Sequence, residues 1–371
     1  MAKTDDLTTR AAFEKFVVPD ALIAQAPAVP RDSSRLMVLH RATGEIEHRV
    51  FRELPEILAA QPAEYSLVLN NSRVRDCLLE VKDDAGTVHV IYLLEAAGPR
   101  SWKVSGEPVA ALAGKRVTPV ADEAARCAGV LSAPGADGMS TIEFTVTEAR
   151  AEGAAAAATA AAVDAAATAA YIEGFLRIPL PPYVTSRVGE EGYQTVYASP
   201  LGSVAAPTAG LHFTEEVLEK IKADGGTVDE VTLHVGYGTF GHIEVDSLTD
   251  HNMHPERVVV GQATADRLAG HVANGRTLLA VGTTSTRTLE TCARDGGKFE
   301  AMDGTADLFI YPGYEWKAVG ALLTNFHMPG LTPVCLVAAF AGYDLTMKAY
   351  QIAVEKEYRF FSFGDSMLVV E

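Results

Sequence analysis

Hydrophobic and polar positions along the chain fall into three successive styles. From Phe16 to about Asn71 they mix a short helix-like PDALIAQ, the alternating SRLMVLHRATGEIEHRVF and the strand-like YSLVLN. Within this stretch RATGEIEHRV reads as a hairpin about Gly44. From about Ser72 to Thr147 the runs CLLEVKD, TVHVIYLLE, SWKV and STIEFTV are short, β-rich and punctuated by Gly, Pro and Asp. Strands at that spacing predict a small barrel or sandwich. From Tyr193 onward, helical patterns end in glycine and give way to apolar strands: EEVLEKIKADGG then TVDEVTLHVG, ATADRLAGHVANG then RTLLAVG, STRTLETCARDGG then ADLFIYPGY. That grammar predicts an α/β domain built on a central sheet.

The simplest assembly is α/β, a central-sheet domain with an inserted small β-barrel-like domain. Residues 1–71 make the first part of the α/β domain, 72–150 the insert, and 176–371 the second part. Between insert and second part, residues 151–175 open with AEGAAAAATAAAVDAAATAA. Alanine favours helix, but this run has no large apolar stripe to bury, so it reads as a linker or a solvated helix. IPLPPYV then imposes an extended, proline-rigid path.

A length of 371 residues with 48% hydrophobic and 21% charged residues excludes wholesale disorder and is two to three domains' worth of chain. Lys plus Arg is 31 and Asp plus Glu is 48, giving 31 − 48 = −17. Such a surface repels polyanions on average, so any nucleic-acid partner requires a local basic patch. The four cysteines, Cys77, Cys127, Cys292 and Cys335, lack zinc-knuckle or redox-dithiol spacing and read as reduced bystanders. The N-terminal MAKTDDLTTRAAFEKF has no apolar core of a signal peptide, and no run of about 18 strongly apolar residues appears, which predicts a soluble cytoplasmic protein.

Candidate chemistry lies in loops. GSVAAPTAGLHFTEE, Gly202 to Glu216, is a small-residue loop entering a helix, with Thr214 as N-cap, a hydroxyl at Thr208 and an imidazole at His212. It also reads as a tight strand-to-helix connection with a structural histidine. VGTTSTRTLE places Thr283, Thr284, Ser285 and Thr286 at a helix N-terminus, a ready anion site, and Arg287 could add a bidentate partner. In LHVGYGTFGHIEV, Tyr237 and Phe240 beside glycines suit stacking on a planar base or simple packing at a strand end. DHNMHPE brings His251, His254 and Glu256 near one another without a convincing third ligand at helical spacing, so no metal is expected. LLTNFHMPG releases Thr324, Asn325 and His327 from the end of an apolar run, where ligands bind in open α/β sheets. YRFFSFGDSMLV reads as a core strand with Arg359 paired to Asp365. Taken singly, none of these names a reaction.

In this order, GSVAAPTAGLHFT, LHVGYGTF, VGTTSTRTLE, LFIYPGY, LLTNFHMP and YRFFSFGDSMLV, with LIAQAPAVPRDSSRLMVLHRATGEIEHR, IPLPPYV and YQTVYA, closely resemble the S-adenosylmethionine:tRNA ribosyltransferase-isomerases of queuosine synthesis. The resemblance covers most of the chain outside about residues 80 to 170. It implies an α/β domain with an inserted barrel-like domain and a monomer. It also implies a reaction in which the ribosyl part of S-adenosylmethionine is transferred and isomerised onto 7-aminomethyl-7-deazaguanine in tRNA, giving epoxyqueuosine, adenine and methionine. S-adenosylmethionine is then a co-substrate, with no further cofactor or metal. Under the resemblance, His212, His327 and Thr208 are the catalytic candidates, the histidines carrying protons. Arg287, Thr283, Thr284 and Ser285 suit the methionine carboxylate, Tyr237 and Phe240 the purine, and Asn325 and Arg73 complete the substrate-binding set. Departures from the family pattern are Asn71 in place of an acid, Asp76 and Cys77 in place of Ala-Arg, and Gly330 and Leu331 in place of a basic residue and Ser. They open the alternative of a divergent relative that binds S-adenosylmethionine with a changed or lost acceptor. A non-catalytic nucleotide-binding protein is the reading from a different class.

Overall fold

The computed structural model describes residues 6–106, 108–135, 139–147, 164–186, 192–236 and 242–371. The chain divides into two compact units, Met1–Val74 with Leu180–Glu371, and Arg75–Pro179.

The first unit is built on a nine-stranded mixed sheet. From edge to edge its strands are Met302–Ala306, Glu256–Val260, Thr227–Leu233, Tyr65–Asn70, Thr277–Val281, Val319–Asn325, Ser366–Val370, Arg35–His40 and Ile46–Val50. Thr227–Leu233, Tyr65–Asn70, Thr277–Val281 and Val319–Asn325 run parallel to one another. Ser366–Val370 joins Val319–Asn325 antiparallel and Arg35–His40 parallel. Arg35–His40 and Ile46–Val50 form the expected hairpin, with Gly44 at φ +71° in the turn, where the left-handed backbone favours glycine.

Strands covered on both faces lose the apolar–polar alternation of a half-exposed sheet, and Tyr65–Asn70 and Ser366–Val370 are buried at every position. Side-chain alternation then sorts them into two cores. Met37, Leu39, Val68, Leu278, Ala280, Leu322 and Val369 share one with Val334, Val337, Phe340 and Tyr350. Leu36, Val38, Leu67, Leu69, Leu279, Leu323 and Leu368 share the other with Phe51, Phe213, Val217 and Ile221. Helix Thr332–Ala341 belongs to the first core and is apolar almost all round, as an enclosed helix must be. Helix Glu215–Ala223 is amphipathic: Val217, Leu218 and Ile221 face the second core, and the Thr214 hydroxyl caps it by accepting from the Val217 N–H at 3.3 Å.

The second unit is a closed six-stranded antiparallel barrel in the order Ser140–Val146, Ser101–Ser105, Val88–Gly98, Leu78–Asp83, Arg116–Pro119, Cys127–Leu131. Closure leaves no unpaired edge. Leu79, Val81, Ile91, Val104, Val117, Ile142 and Phe144 fill it. Gly129 is required there, because a Cβ would lie 2.7 Å from Ile142 and 2.8 Å from Phe144. Its first and last segments meet: Leu78 and Arg177 exchange backbone hydrogen bonds, each of 3.0 Å.

Of the alanine-rich segment, residues 151–163 lie outside the described residues. The remainder is a helix, Ala165–Glu173, capped by Asp164, whose carboxylate accepts from the Ala167 N–H at 2.8 Å. It is neither linker nor fully solvated: Ile172 is part of the barrel core, and the Tyr171 hydroxyl donates to Asp122 at 2.9 Å. All four cysteines are free and buried. No helix among the described residues is long and apolar enough to cross a membrane.

Candidate active site

Strands Tyr65–Asn70, Thr277–Val281 and Val319–Asn325 end side by side, and the chain leaving the last two lines an open cleft of about 740 Å³. Four separate segments of the first unit line it: Ala205–Ala209, Gly282–Thr284, Thr324–Met328 without Phe326, and Phe361–Ser362, joined by Tyr183, Tyr193, Leu331 and Pro333. It is the crevice at the carboxyl edge of parallel strands where α/β proteins bind ligands. Among the described residues the lining carries hydroxyls, one amide, one imidazole and aromatic faces, and no acid, lysine or arginine.

Each segment has a local reason for its course. The loop 203–213 passes beneath Tyr197, and a Cβ on Gly210 would lie 2.1 Å from the Tyr197 hydroxyl, so only glycine fits. Thr208 thereby reaches the cleft, donating its hydroxyl proton to Asn325 Oδ1 at 2.9 Å. Helix Gly282–Cys292 starts without a loop directly from its strand, because Gly282 adopts φ +88°. No side chain caps this helix, so its first N–H groups are left for a ligand at Gly282, Thr283 and Thr284. Thr284 Oγ1 accepts from Asn70 Nδ2 at 3.1 Å, while the Thr283 hydroxyl has no protein partner among the described residues.

His327 sits half-buried in the cleft wall, with Nε2 2.7 Å from Thr324 Oγ1 and its backbone N–H donating to the Tyr350 hydroxyl at 2.9 Å. Burial pushes its pKa down to about 4. Opposite in chain order, the Tyr183 hydroxyl meets Ser362 Oγ at 2.7 Å and its ring packs on Phe361 with centroids 4.9 Å apart. The fully buried Tyr193 also lines the cleft, beside Ser362 and Ala206.

Several expected site residues stand elsewhere. His212 does not line the cleft: it is buried behind Asn325, stacked on Phe51, with Nδ1 2.7 Å from Ser34 Oγ and Nε2 3.1 Å from Asn325 Nδ2. Desolvation holds its pKa down at about 4. Arg287, expected at the carboxylate, is buried and does not line the cleft. It pairs with Glu256 and donates Nε to Leu308 O at 2.9 Å and Nη2 to Ala306 O at 3.1 Å. Glu256 in turn accepts from the Gly236 N–H at 2.9 Å, and no group of three His, Cys, Asp or Glu that could hold a metal occurs among the described residues. Ser285 is wholly buried, off the cleft, with its hydroxyl unpartnered among the described residues. Arg73 is exposed on the short strand Arg73–Val74 and does not line the cleft. Tyr237 and Phe240 lie outside the described residues. Asp365 is buried as expected, with Oδ2 3.2 Å from Arg35 Nε and Oδ1 3.5 Å from Arg359 Nη2.

Asn71, an acid in the family pattern, donates to Glu230 at 2.8 Å and accepts from the Thr232 hydroxyl at 2.7 Å. An amide can serve both neighbours, whereas a carboxylate would repel Glu230. Gly330 is held at φ +74°, and Leu331 adds apolar surface to the cleft.

Missed from sequence were Tyr183, Tyr193, Phe361 and Ser362. Tyr183 stands in the proline-rigid stretch and Tyr193 just beyond it, and both read as path rather than site. Phe361 and Ser362 belong to a motif that reads as core.

Fold and cleft together define an α/β protein with a cleft at the carboxyl edge of its parallel strands and a barrel inserted into the chain. The model of the family described as "Queuosine biosynthesis protein" matches residues 12–369, and the chain belongs to that family. It is 43% identical over 360 residues to the S-adenosylmethionine:tRNA ribosyltransferase-isomerase of Symbiobacterium thermophilum, covering 96% of this chain and 98% of that one. The enzyme of the same name from Thermotoga petrophila is 44% identical over 356 residues, with the same coverage. The crystal structure of S-adenosylmethionine tRNA ribosyltransferase from Thermotoga maritima matches with a TM-score of 0.52 and 35% identity, over 97% of this chain and 100% of that one.

Proposed function

We propose that the chain transfers and isomerises the ribosyl moiety of S-adenosylmethionine onto 7-aminomethyl-7-deazaguanine in tRNA, releasing adenine and methionine and leaving epoxyqueuosine. It does so in the cytoplasm as a monomer. The observation that carries the reading is the convergence of Ala205–Ala209, Gly282–Thr284, Thr324 with Asn325 and His327, and Phe361–Ser362 on one cleft. These segments come from the same motifs that resemble the enzyme family.

The cleft chemistry fits this co-substrate. Free N–H groups at the start of helix Gly282–Cys292 and the Thr283 hydroxyl suit the methionine carboxylate without a cationic side chain. Aromatic faces of Tyr183 and Phe361 suit the sulfonium or the purine. His327 is the base: a pKa held near 4 makes it a weak one, which serves only where the proton is already acidified. A carbon next to a sulfonium meets that condition. His212 acts from behind Asn325 as a positioning residue. Arg73, exposed outside the cleft, is a candidate contact for the RNA.

The test is to incubate the protein with S-adenosylmethionine and tRNA carrying the precursor base, and to measure adenine, methionine and the modified nucleoside by mass spectrometry. Coupled release of adenine with epoxyqueuosine is the expected result. Binding of S-adenosylmethionine with neither product would establish the divergent relative instead. His327→Ala should lower kcat at least about a hundredfold while S-adenosylmethionine affinity changes only a few-fold.

A further inference from the structure

Behind the cleft wall runs a hydrogen-bonded chain whose proton positions the geometry determines. The Asn325 amide nitrogen faces both His212 Nε2 at 3.1 Å and the Phe361 carbonyl at 3.4 Å. A carbonyl only accepts, so the amide nitrogen, and not its oxygen, is on this side. His212 Nε2 must then accept, which places the imidazole proton on Nδ1, donating to Ser34 Oγ at 2.7 Å. The neutral ring this requires agrees with its burial, which holds the pKa at about 4. On the other side of the amide, Asn325 Oδ1 can only accept, so the 2.9 Å contact from Thr208 consumes the hydroxyl proton. Thr208 is partly exposed in the cleft, and its oxygen has only lone pairs left to offer a ligand.

We propose that the chain Ser34–His212–Asn325 fixes Thr208 as a hydrogen-bond acceptor that recognises a hydroxyl of the ribosyl donor. The proposal rests on the reading of the cleft as the S-adenosylmethionine site. Of the donors in that molecule, the ammonium calls for a carboxylate, and the lining contains none among the described residues, whereas the adenine amino group and the sugar hydroxyls are each satisfied by a neutral acceptor. Asn325, which orients Thr208, and His327, the base for the ribosyl carbon beside sulfur, are two positions apart at the end of one strand and share the cleft. Thr208 then faces the same sugar on which His327 acts. Ser34 and His212 touch no substrate; they are positioning residues that act through Asn325.

Calorimetry with S-adenosylmethionine and its 2′-deoxy and 3′-deoxy analogues tests this, with thermal melts confirming that each variant is folded. The wild-type protein should bind S-adenosylmethionine about tenfold more tightly than one of the two deoxy analogues, the equivalent of one hydrogen bond to a buried acceptor. Thr208→Val, nearly isosteric, should abolish that ratio while leaving affinity for the deoxy analogue unchanged. His212→Gln keeps an acceptor for the Asn325 amide and should retain the ratio; His212→Leu should lose it. A purely structural role for His212 would weaken all three ligands equally and leave the ratio intact. Retention of the ratio in Thr208→Val overturns the proposal alone, since S-adenosylmethionine still binds. Failure of the wild-type protein to bind S-adenosylmethionine at all overturns both the proposal and the reading of the cleft.

Discussion

His212 and His327 have the same depressed proton affinity for the same reason, burial, yet only His327 opens on the cleft. Both stay neutral in the folded protein well below the pH at which an unfolded histidine takes a proton, near 6.5. The stability each contributes is therefore complete above about pH 6.5 and is lost progressively as the pH falls toward 4. For the buried His212 the shift corresponds to roughly 3 kcal/mol at most. The melting temperature should fall over this window, and it should fall less steeply in His212→Gln; equal slopes would remove His212 from the account. The acid limb of kcat/KM should appear near pH 4 to 5 rather than at 6.5, read from initial rates of adenine release in buffers of constant ionic strength. At this scale sequence is informative about chemistry and silent about direction. Thr208, Thr283, Thr284, Asn325 and His327 reach the cleft as their motifs suggest, whereas Arg287 carries the right group and spends it on Glu256. No pattern in VGTTSTRTLE says which helical face meets the ligand, because that face is chosen by the strand from which the helix departs.

Glu290 shows how one buried side chain sustains an element. Its carboxylate, 1% exposed, accepts from the N–H groups of Lys317, Ala318 and Val319 at 2.9 to 3.0 Å and from the Tyr314 hydroxyl at 3.1 Å. These amides precede and open strand Val319–Asn325, whose far end supplies Thr324 and Asn325 to the site. Glu290→Ala removes their shared acceptor and should cost about 3 kcal/mol in urea unfolding, with Glu290→Gln milder because one oxygen still accepts. An unchanged midpoint in Glu290→Ala would refute the capping role. Elements with strong periodicity, such as Glu215–Ala223 and Gln262–Ala273, are readable from spacing alone. The short barrel strands Arg116–Pro119 and Cys127–Leu131 are not, since four or five residues of mixed polarity carry no period until partners define their inner face. The helix Ala165–Glu173 escapes for a related reason: Ile172 supplies its buried contact only at the end of a featureless alanine run.

Across the molecule, every cleft-lining residue among those described belongs to the first unit, and the barrel closes on itself. Replacing residues 75–179 by a short glycine linker should therefore leave S-adenosylmethionine affinity within about threefold of the intact chain, measured by calorimetry. Loss of binding in a folded deletion variant would show that the cleft depends on the insert. The division into a sheet-based unit and an inserted β unit is legible from the change of hydrophobic period, because strand-only and helix–strand stretches have different grammars. The mutual hydrogen bonds of Leu78 and Arg177 bear on a different question, the order in which the chain assembles. Strand Tyr65–Asn70 finds both its neighbours, Thr227–Leu233 and Thr277–Val281, on the far side of the insertion. Such distant pairing is slow when the intervening chain is a loose coil. Once the barrel has closed and its ends are tied together, that intervening stretch behaves as a short loop, and the entropic distance between the two halves of the sheet collapses. A barrel that forms first thus acts as a folding catalyst in cis for the sheet it interrupts.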